Sequence, residues 1–197
     1  IFKMFETLIS KLQDDKYLTL ETTPQHEPSM HNIVEKIKKF KIDSKVDGFT
    51  CTDNPLAKLK YNSLFAALKL QQEFKKPVIA TMTMRDRNKI ALQSDLLGAN
   101  DFDIRAILAL TGDPANMSDQ PNSKGVFEAN SLMLLKMIKS FNYGMDFAGR
   151  PFKIEPKQIF PFAVVNAYAK NFGSLEKKMH LKIQNGAVGV ITQPVFD

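Results

Sequence analysis

The sequence is poor in cysteine, histidine and long apolar runs, and each shortage removes a class of protein. One cysteine, Cys51, in 197 residues excludes an internal disulfide framework. It sits inside an apolar strand pattern, so a buried inert thiol is expected rather than a nucleophile. His26, His31 and His180 are scattered over a loop and helices without ligand spacing, which argues against a metal centre. No apolar run approaches the roughly 20 residues that span a bilayer. The opening Ile1-Phe2-Lys3-Met4-Phe5-Glu6 lacks the charged-then-apolar order of a signal peptide, so no membrane contact and a cytoplasmic location are expected. Ser-His-Asp order, P-loop and CxxC are all absent.

What is present reads as one globular domain. Hydrophobic residues make up 44% and charged residues 24% of the chain, ordinary values for a folded domain with a real core. The formal net charge of +6 suits an anionic ligand such as a phosphate-bearing cofactor. Lys36, Lys38, Lys39 and Lys41 fall where a solvated helix end is expected, which gives nucleic-acid binding no support.

Two kinds of segment alternate. Phe2, Phe5, Leu8, Ile9 and Leu12 recur at helical spacing over residues 2–14. Strand patterns follow at residues 17–24, 46–53, 78–84, 106–110, 160–166 and 187–195. Between them lie helices: one capped by Ser29 and running to Phe40 with Ile33, Val34, Ile37 and Phe40 buried, and one after the turn Asn54-Pro55. Another runs over 85–100 carrying Ile90, Ala91, Leu96 and Leu97, a fourth over 126–141, and a fifth around Leu175, Met179 and Ile183. Strand-helix alternation predicts parallel βαβ units with neighbouring strands adjacent. An α/β (β/α)8 TIM barrel is the leading architecture, incomplete here because six repeats are countable where the fold has eight. The expectation is a single barrel domain over residues 1–197, truncated before its last strands, with an exposed edge that leaves a homo-oligomer open. A doubly wound sheet would need a Gly-rich first turn, and Glu21-Thr22-Thr23-Pro24-Gln25 has no glycine.

Barrel topology brings the carboxyl ends of the strands to one mouth, where ligands bind. Polar residues stand at those ends: Glu21, Thr52 and Asp53, Thr83, Asp113, Asn166 and Gln193. The central run is Ala106-Ile107-Leu108-Ala109-Leu110-Thr111-Gly112-Asp113-Pro114. There Gly112 permits a turn or close approach and Pro114 ends the ladder, presenting the Asp113 carboxylate. Two carboxylates at a partly dry mouth suit acid/base chemistry. The long polar loop over 115–124 has the length of a functional loop.

Leu18-Thr19-Leu20-Glu21-Thr22-Thr23-Pro24, Thr52-Asp53-Asn54-Pro55, Thr83-Met84-Arg85-Asp86-Arg87-Asn88, the run from Ile107 to Pro114, and Ile191-Thr192-Gln193-Pro194 together resemble methylenetetrahydrofolate reductase. The nearest likeness is to the reductase-like branch with Arg-Asp-Arg-Asn followed by an Ala-Leu-Gln-Ser-like helix, here Ala91-Leu92-Gln93-Ser94. The resemblance implies a barrel in which FAD passes hydride from NAD(P)H, or from a partner-protein electron donor, to 5,10-methylenetetrahydrofolate to give 5-methyltetrahydrofolate. It implies Glu21 as the general acid that opens the folate ring, and Asp113 as a carboxylate beside both flavin and pterin. Gln193 corresponds to the glutamine that contacts the folate. The flavin positions it implies are Thr52, Thr81, Thr111, Gly112, Asp113, Asn166 and Lys182, with no metal.

The chain also departs from the best-known members. Thr81 stands in place of a histidine, Thr111 in place of an arginine, Val165-Asn166-Ala167 in place of a Tyr-Pro motif, and Leu181-Lys182 in place of a basic pair. A folate-dependent methyltransferase-type barrel without flavin, or a non-catalytic folate-pathway partner protein, are the alternative readings these departures support.

Overall fold

The computed structural model describes residues 3–14, 16–166 and 168–196; the expected contributions of Phe2 and Ala167 lie outside these. Helix α1 (Lys3–Asp14) precedes six strands that alternate with helices: β1 (Thr19–Thr22), α2 (His31–Lys39), β2 (Gly48–Cys51), α3 (Ser63–Phe74), β3 (Val78–Thr83) and α4 (Lys89–Asp101). Then come β4 (Ala106–Leu110), α5 (Ser131–Asn142), β5 (Phe160–Val165), α6 (Phe172–Gln184) and β6 (Gly189–Thr192). The strands lie side by side in sequence order, all parallel, and the sheet curls as the arc of an incomplete TIM barrel. Among the described residues β1 pairs only with β2 and β6 only with β5.

Strand alternation gives the sheet two covered faces. Phe49, Cys51, Val78, Ala80, Met82, Ile107, Ala109 and Ala163 point outward into the core formed with α2 to α5. Ile79, Ala106, Leu108, Phe160 and Phe162 point inward, where Phe5 and Leu8 of α1 cover them. The Phe5 and Phe160 rings lie 6.5 Å apart, and the Arg105 guanidinium sits 4.9 Å from the Phe5 centroid. Arg105 is buried yet paired, at 2.8 Å with Asp103 and 3.3 Å with Glu6. Helix α1 therefore caps the amino-terminal end of the inner face.

Asparagine starts the helices. Asn62, Asn88, Asn130 and Asn171 each precede a helix and accept backbone N–H bonds from Leu64, Ala91, Leu132 and Ser174 at 2.8–3.0 Å. Each such cap stabilises its helix by about 1 kcal/mol, and they explain two shifted boundaries. The helices expected from residues 85 and 126 begin at Lys89 and Ser131, because Asn88 and Asn130 take the orphan N–H groups there.

Five apolar assignments are corrected. Phe40, expected on the buried side, is 59% exposed at the C-cap of α2, while Val34 and Ile37 carry the buried stripe. Ile90 and Leu97 are 76% and 50% exposed, because α4 turns Leu92, Leu96 and Ala99 to the sheet, a spacing of four and three that leaves Ile90 and Leu97 on the opposite side. Leu12 and Ile183 are likewise solvent-facing. Ser29 does not cap α2 as expected: Met30 is the N-cap, and the Ser29 hydroxyl accepts the His31 N–H at 3.0 Å.

The Cys51 thiol is fully buried and its pKa is pushed up to about 12 by burial, although the Thr22 hydroxyl contact lowers it somewhat. The folded state holds this proton more tightly than an unfolded chain titrating near 9.0, so this group's contribution to stability falls as pH rises above that value. Disulfide-exchange reagent at pH 8 should leave the native thiol unlabelled and label it stoichiometrically only after denaturation; rapid native labelling would contradict the packing. Phe5→Ala should destabilise the chain by about 3–5 kcal/mol, the range for a buried aromatic truncation, read as a lowered urea midpoint.

Candidate functional site

Three groups of side chains occupy the carboxyl-terminal rim of the sheet. The first surrounds a cavity of about 400 Å³ at the ends of β4, β5 and β6, with Thr111, Asn166, Asn171, Lys178, Lys182 and Gln193 in its wall. The Lys182 ammonium donates to the Val164 carbonyl, and burial, reinforced by the Lys178 charge, depresses its pKa below the ordinary lysine value. Asn171 caps α6 at the same cavity, so the partial positive charge of a helix N-terminus adds to the two ammonium groups. Such a wall favours an anion, whose charge would offset the burial and the Lys178 repulsion that together depress Lys182.

Of the residues singled out from sequence, Thr111, Asn166, Lys182 and Gln193 meet in this wall. The Thr111 hydroxyl accepts the Ser131 N–H at 3.1 Å and so ties β4 to the start of α5. The Asn166 side chain accepts the Tyr168 N–H at 2.9 Å. Lys178 and Asn171 were not among the sequence candidates. The signal for Lys178 was its spacing of one helical turn from Lys182, which supplies a second cation on the same face although Leu181 is apolar.

The second group joins two sequence motifs into one unit. Asp53, 4% exposed, accepts from the Thr83 N–H at 2.9 Å, the Thr83 hydroxyl at 3.0 Å and Arg87 Nη1 at 2.6 Å. Arg87 Nε reaches Asp95 at 2.8 Å. Burial works against the Arg87 charge, but Asp53 and Asp95 outweigh it and leave the pKa raised. Arg85, fully buried, grips Asp86 through two bonds of 2.8 and 2.7 Å and donates to the Asn54 carbonyl at 3.1 Å. Thr52-Asp53-Asn54 and Arg85-Asp86-Arg87 are thereby locked together.

The third group is the turn on which Asp113 acts. Its carboxylate accepts the Leu56 N–H at 2.6 Å, inside a turn where Asn54, Leu56 and Ala57 all have positive φ, between 43° and 57°. Left-handed conformations in non-glycine residues cost free energy, and Asp113 helps to offset it. Gly112 has φ +97°, and a Cβ there would lie 3.0 Å from the Arg85 Cβ and 3.2 Å from the Thr83 Cβ; both the turn and the close approach require glycine.

Glu21, Thr52, Thr81, Gly112 and Asp113 lie outside the cavity wall. Glu21 is exposed on the inner face beside Thr50, since Leu20 packs towards the outer core, and it has no side-chain partner among the described residues. Thr81 is buried. The Thr52 hydroxyl is buried without a hydrogen-bond partner. Among the described residues there is no group of three metal-ligating side chains and no helix long and apolar enough to cross a membrane.

No curated protein matches the chain. The model of the family described as methylenetetrahydrofolate reductase matches residues 6–197. Its coverage, together with a parallel barrel arc whose polar residues gather at the strands' carboxyl ends, shows that this chain belongs to the methylenetetrahydrofolate reductase family, whose activity is oxidoreduction of methylenetetrahydrofolate.

Proposed function

We propose that this chain carries out the FAD-dependent reduction of 5,10-methylenetetrahydrofolate to 5-methyltetrahydrofolate. The observation that carries this reading is the rim cavity, where Lys178, Lys182 and Gln193 face one space at the ends of three strands. The residues present fit the cofactor: two lysines and a helix N-terminus suit its phosphates, and the unpartnered Thr52 hydroxyl is free to bond a polar ring edge. When bound, FAD would supply the carrier that takes a hydride from a donor and yields it to the folate.

The remaining chemistry belongs to the protein's own side chains. Lys178 and Lys182 balance phosphate charge, while the Gln193 amide can donate to and accept from the pterin at once. Opening the five-membered ring breaks the bond between the bridging carbon and one nitrogen, and that nitrogen needs a proton. Glu21 supplies it: the carboxyl group stands on the inner face with no competing partner, and a bound substrate would shield it from water, the condition under which a carboxylic acid keeps a proton to give. The bridging carbon then accepts a hydride and becomes the methyl group. Asp113 acts indirectly by fixing the turn at Leu56.

Titrating protein into FAD should quench flavin fluorescence, and Lys178→Ala with Lys182→Ala should weaken binding by about 10- to 100-fold, on the scale of lost charge-assisted bonds. An unchanged affinity in the double variant would remove the lysines from the site. Glu21→Gln should slow the folate half-reaction by about 10² to 10⁴ and leave flavin reduction nearly unaltered. Stopped-flow absorbance, with donor and folate mixed separately, reads both; an intact folate half-reaction would eliminate Glu21 as the acid.

A further inference from the structure

The ladder between β2 and β3 pairs Phe49 with Val78, Thr50 with Ile79 and Cys51 with Ala80, whereas β3 itself continues to Thr83. Beyond the last pair, a side chain takes over the role of a strand carbonyl: the Thr83 N–H and hydroxyl both donate to Asp53 Oδ2, at 2.9 and 3.0 Å. On the other side the Thr52 N–H donates to the Thr22 carbonyl at 3.1 Å. Residues 52 and 53 are thus tied to β1 by the main chain and to β3 by one carboxylate. Between those ties sits the Thr52 hydroxyl, buried and unpartnered.

A hydroxyl in that state is unfavourable unless a ligand completes it. It can do so usefully only if its backbone is held, and Asp53 supplies the hold. Burying a carboxylate at 4% exposure requires a counter-charge. Arg87 provides it through bonds of 2.6 and 3.3 Å to the two carboxylate oxygens, and Asp95 fixes Arg87 from its far edge at 2.8 Å. The arginine fork fits this geometry where a lysine would not.

We propose that Asp53 is a positioning residue for the flavin: clamped between Thr83 and Arg87, it holds Thr52 so that the unpartnered hydroxyl meets the bound cofactor. This rests on the flavin reading given above. An asparagine at position 53 could keep one oxygen for the Thr83 groups and Arg87 Nη1, but it would turn an NH2 towards Arg87 Nη2 and remove the negative charge that balances the buried arginine.

The test compares Thr52→Val, Asp53→Asn and the double variant with the unaltered protein. FAD affinity is read by fluorescence quenching and the visible flavin band is recorded well below each melting temperature. Each single substitution should weaken FAD about tenfold and shift the band. The double variant should be no weaker than either single one, because both remove the same contact. If Asp53→Asn does not fold, Arg87→Lys takes its place, with the same tenfold loss expected alone and no further loss in the Thr52→Val background. Independent losses that multiply to about a hundredfold would overturn the proposal. So would a variant at Asp53 or Arg87 that melts earlier but keeps its FAD affinity and band. If the unaltered protein does not bind FAD, the flavin reading itself falls and the proposal with it, an outcome distinct from loss of coupling between Asp53 and Thr52.

Discussion

A parallel sheet of near-continuous apolar strands has to be covered on both faces, and the rest of this molecule follows from that constraint. Helices α2 to α5 cover the outer face. The inner face is covered at the amino-terminal end by α1, whose Phe5 and Leu8 are fully buried; each such side chain contributes about 1.5–3 kcal/mol by leaving water. With the amino-terminal end filled, the carboxyl-terminal rim is the place where polar groups can face a ligand without interrupting the core. Thr111, Asn166 and Gln193 stand on that rim because they follow the ends of their strands, and Lys182 reaches it from α6.

The rim is also where the chain buries charge, and it does so in linked groups. Arg85 and Arg87 are separated by Asp86 in sequence and alternate in direction. Arg85 engages Asp86 and the Asn54 carbonyl, while Arg87 engages Asp53 and Asp95. Breaking one partner in such a set leaves a buried charge uncompensated, which costs far more than the pair itself contributes. These contacts fasten the connection after β2 to the connection after β3, and Asp113 fastens it to the connection after β4. Three successive loops at the rim therefore form one braced unit rather than three independent connections.

Charge at the cavity follows a different logic. Burial depresses the pKa of Lys182, and the neighbouring Lys178 charge adds to the penalty. The Val164 carbonyl and the exposed surroundings of α6 offset only part of it. A cavity wall that holds two neighbouring cations of α6 together with that helix's N-cap is arranged for an anionic visitor, which links its electrostatics to the phosphate-bearing cofactor of the proposed reaction.

Much of this was legible in the residues. Period-two and continuous apolar runs separated by helical patterns were enough for the strand order and the parallel topology, because strand pairing between neighbours in such units leaves few alternatives. The same patterns located the rim residues, since strand ends are where apolar runs stop. Local spacing could not say which side of α4 meets the sheet, because Ile90, Leu92, Leu96 and Leu97 satisfy two overlapping stripes and only packing against β-strand neighbours chooses between them. Nor could it pair Asp53 with Arg87, 34 residues apart, or tie Asp113 to the Leu56 N–H, 57 residues away. By itself the sequence determined the kind of fold and which strands end in polar groups, because both depend on local periodicity. Which of those groups brace the loops, and which remain free to meet a ligand, was decided by tertiary structure, because a hydrogen bond is satisfied only by the partner that folding brings within reach.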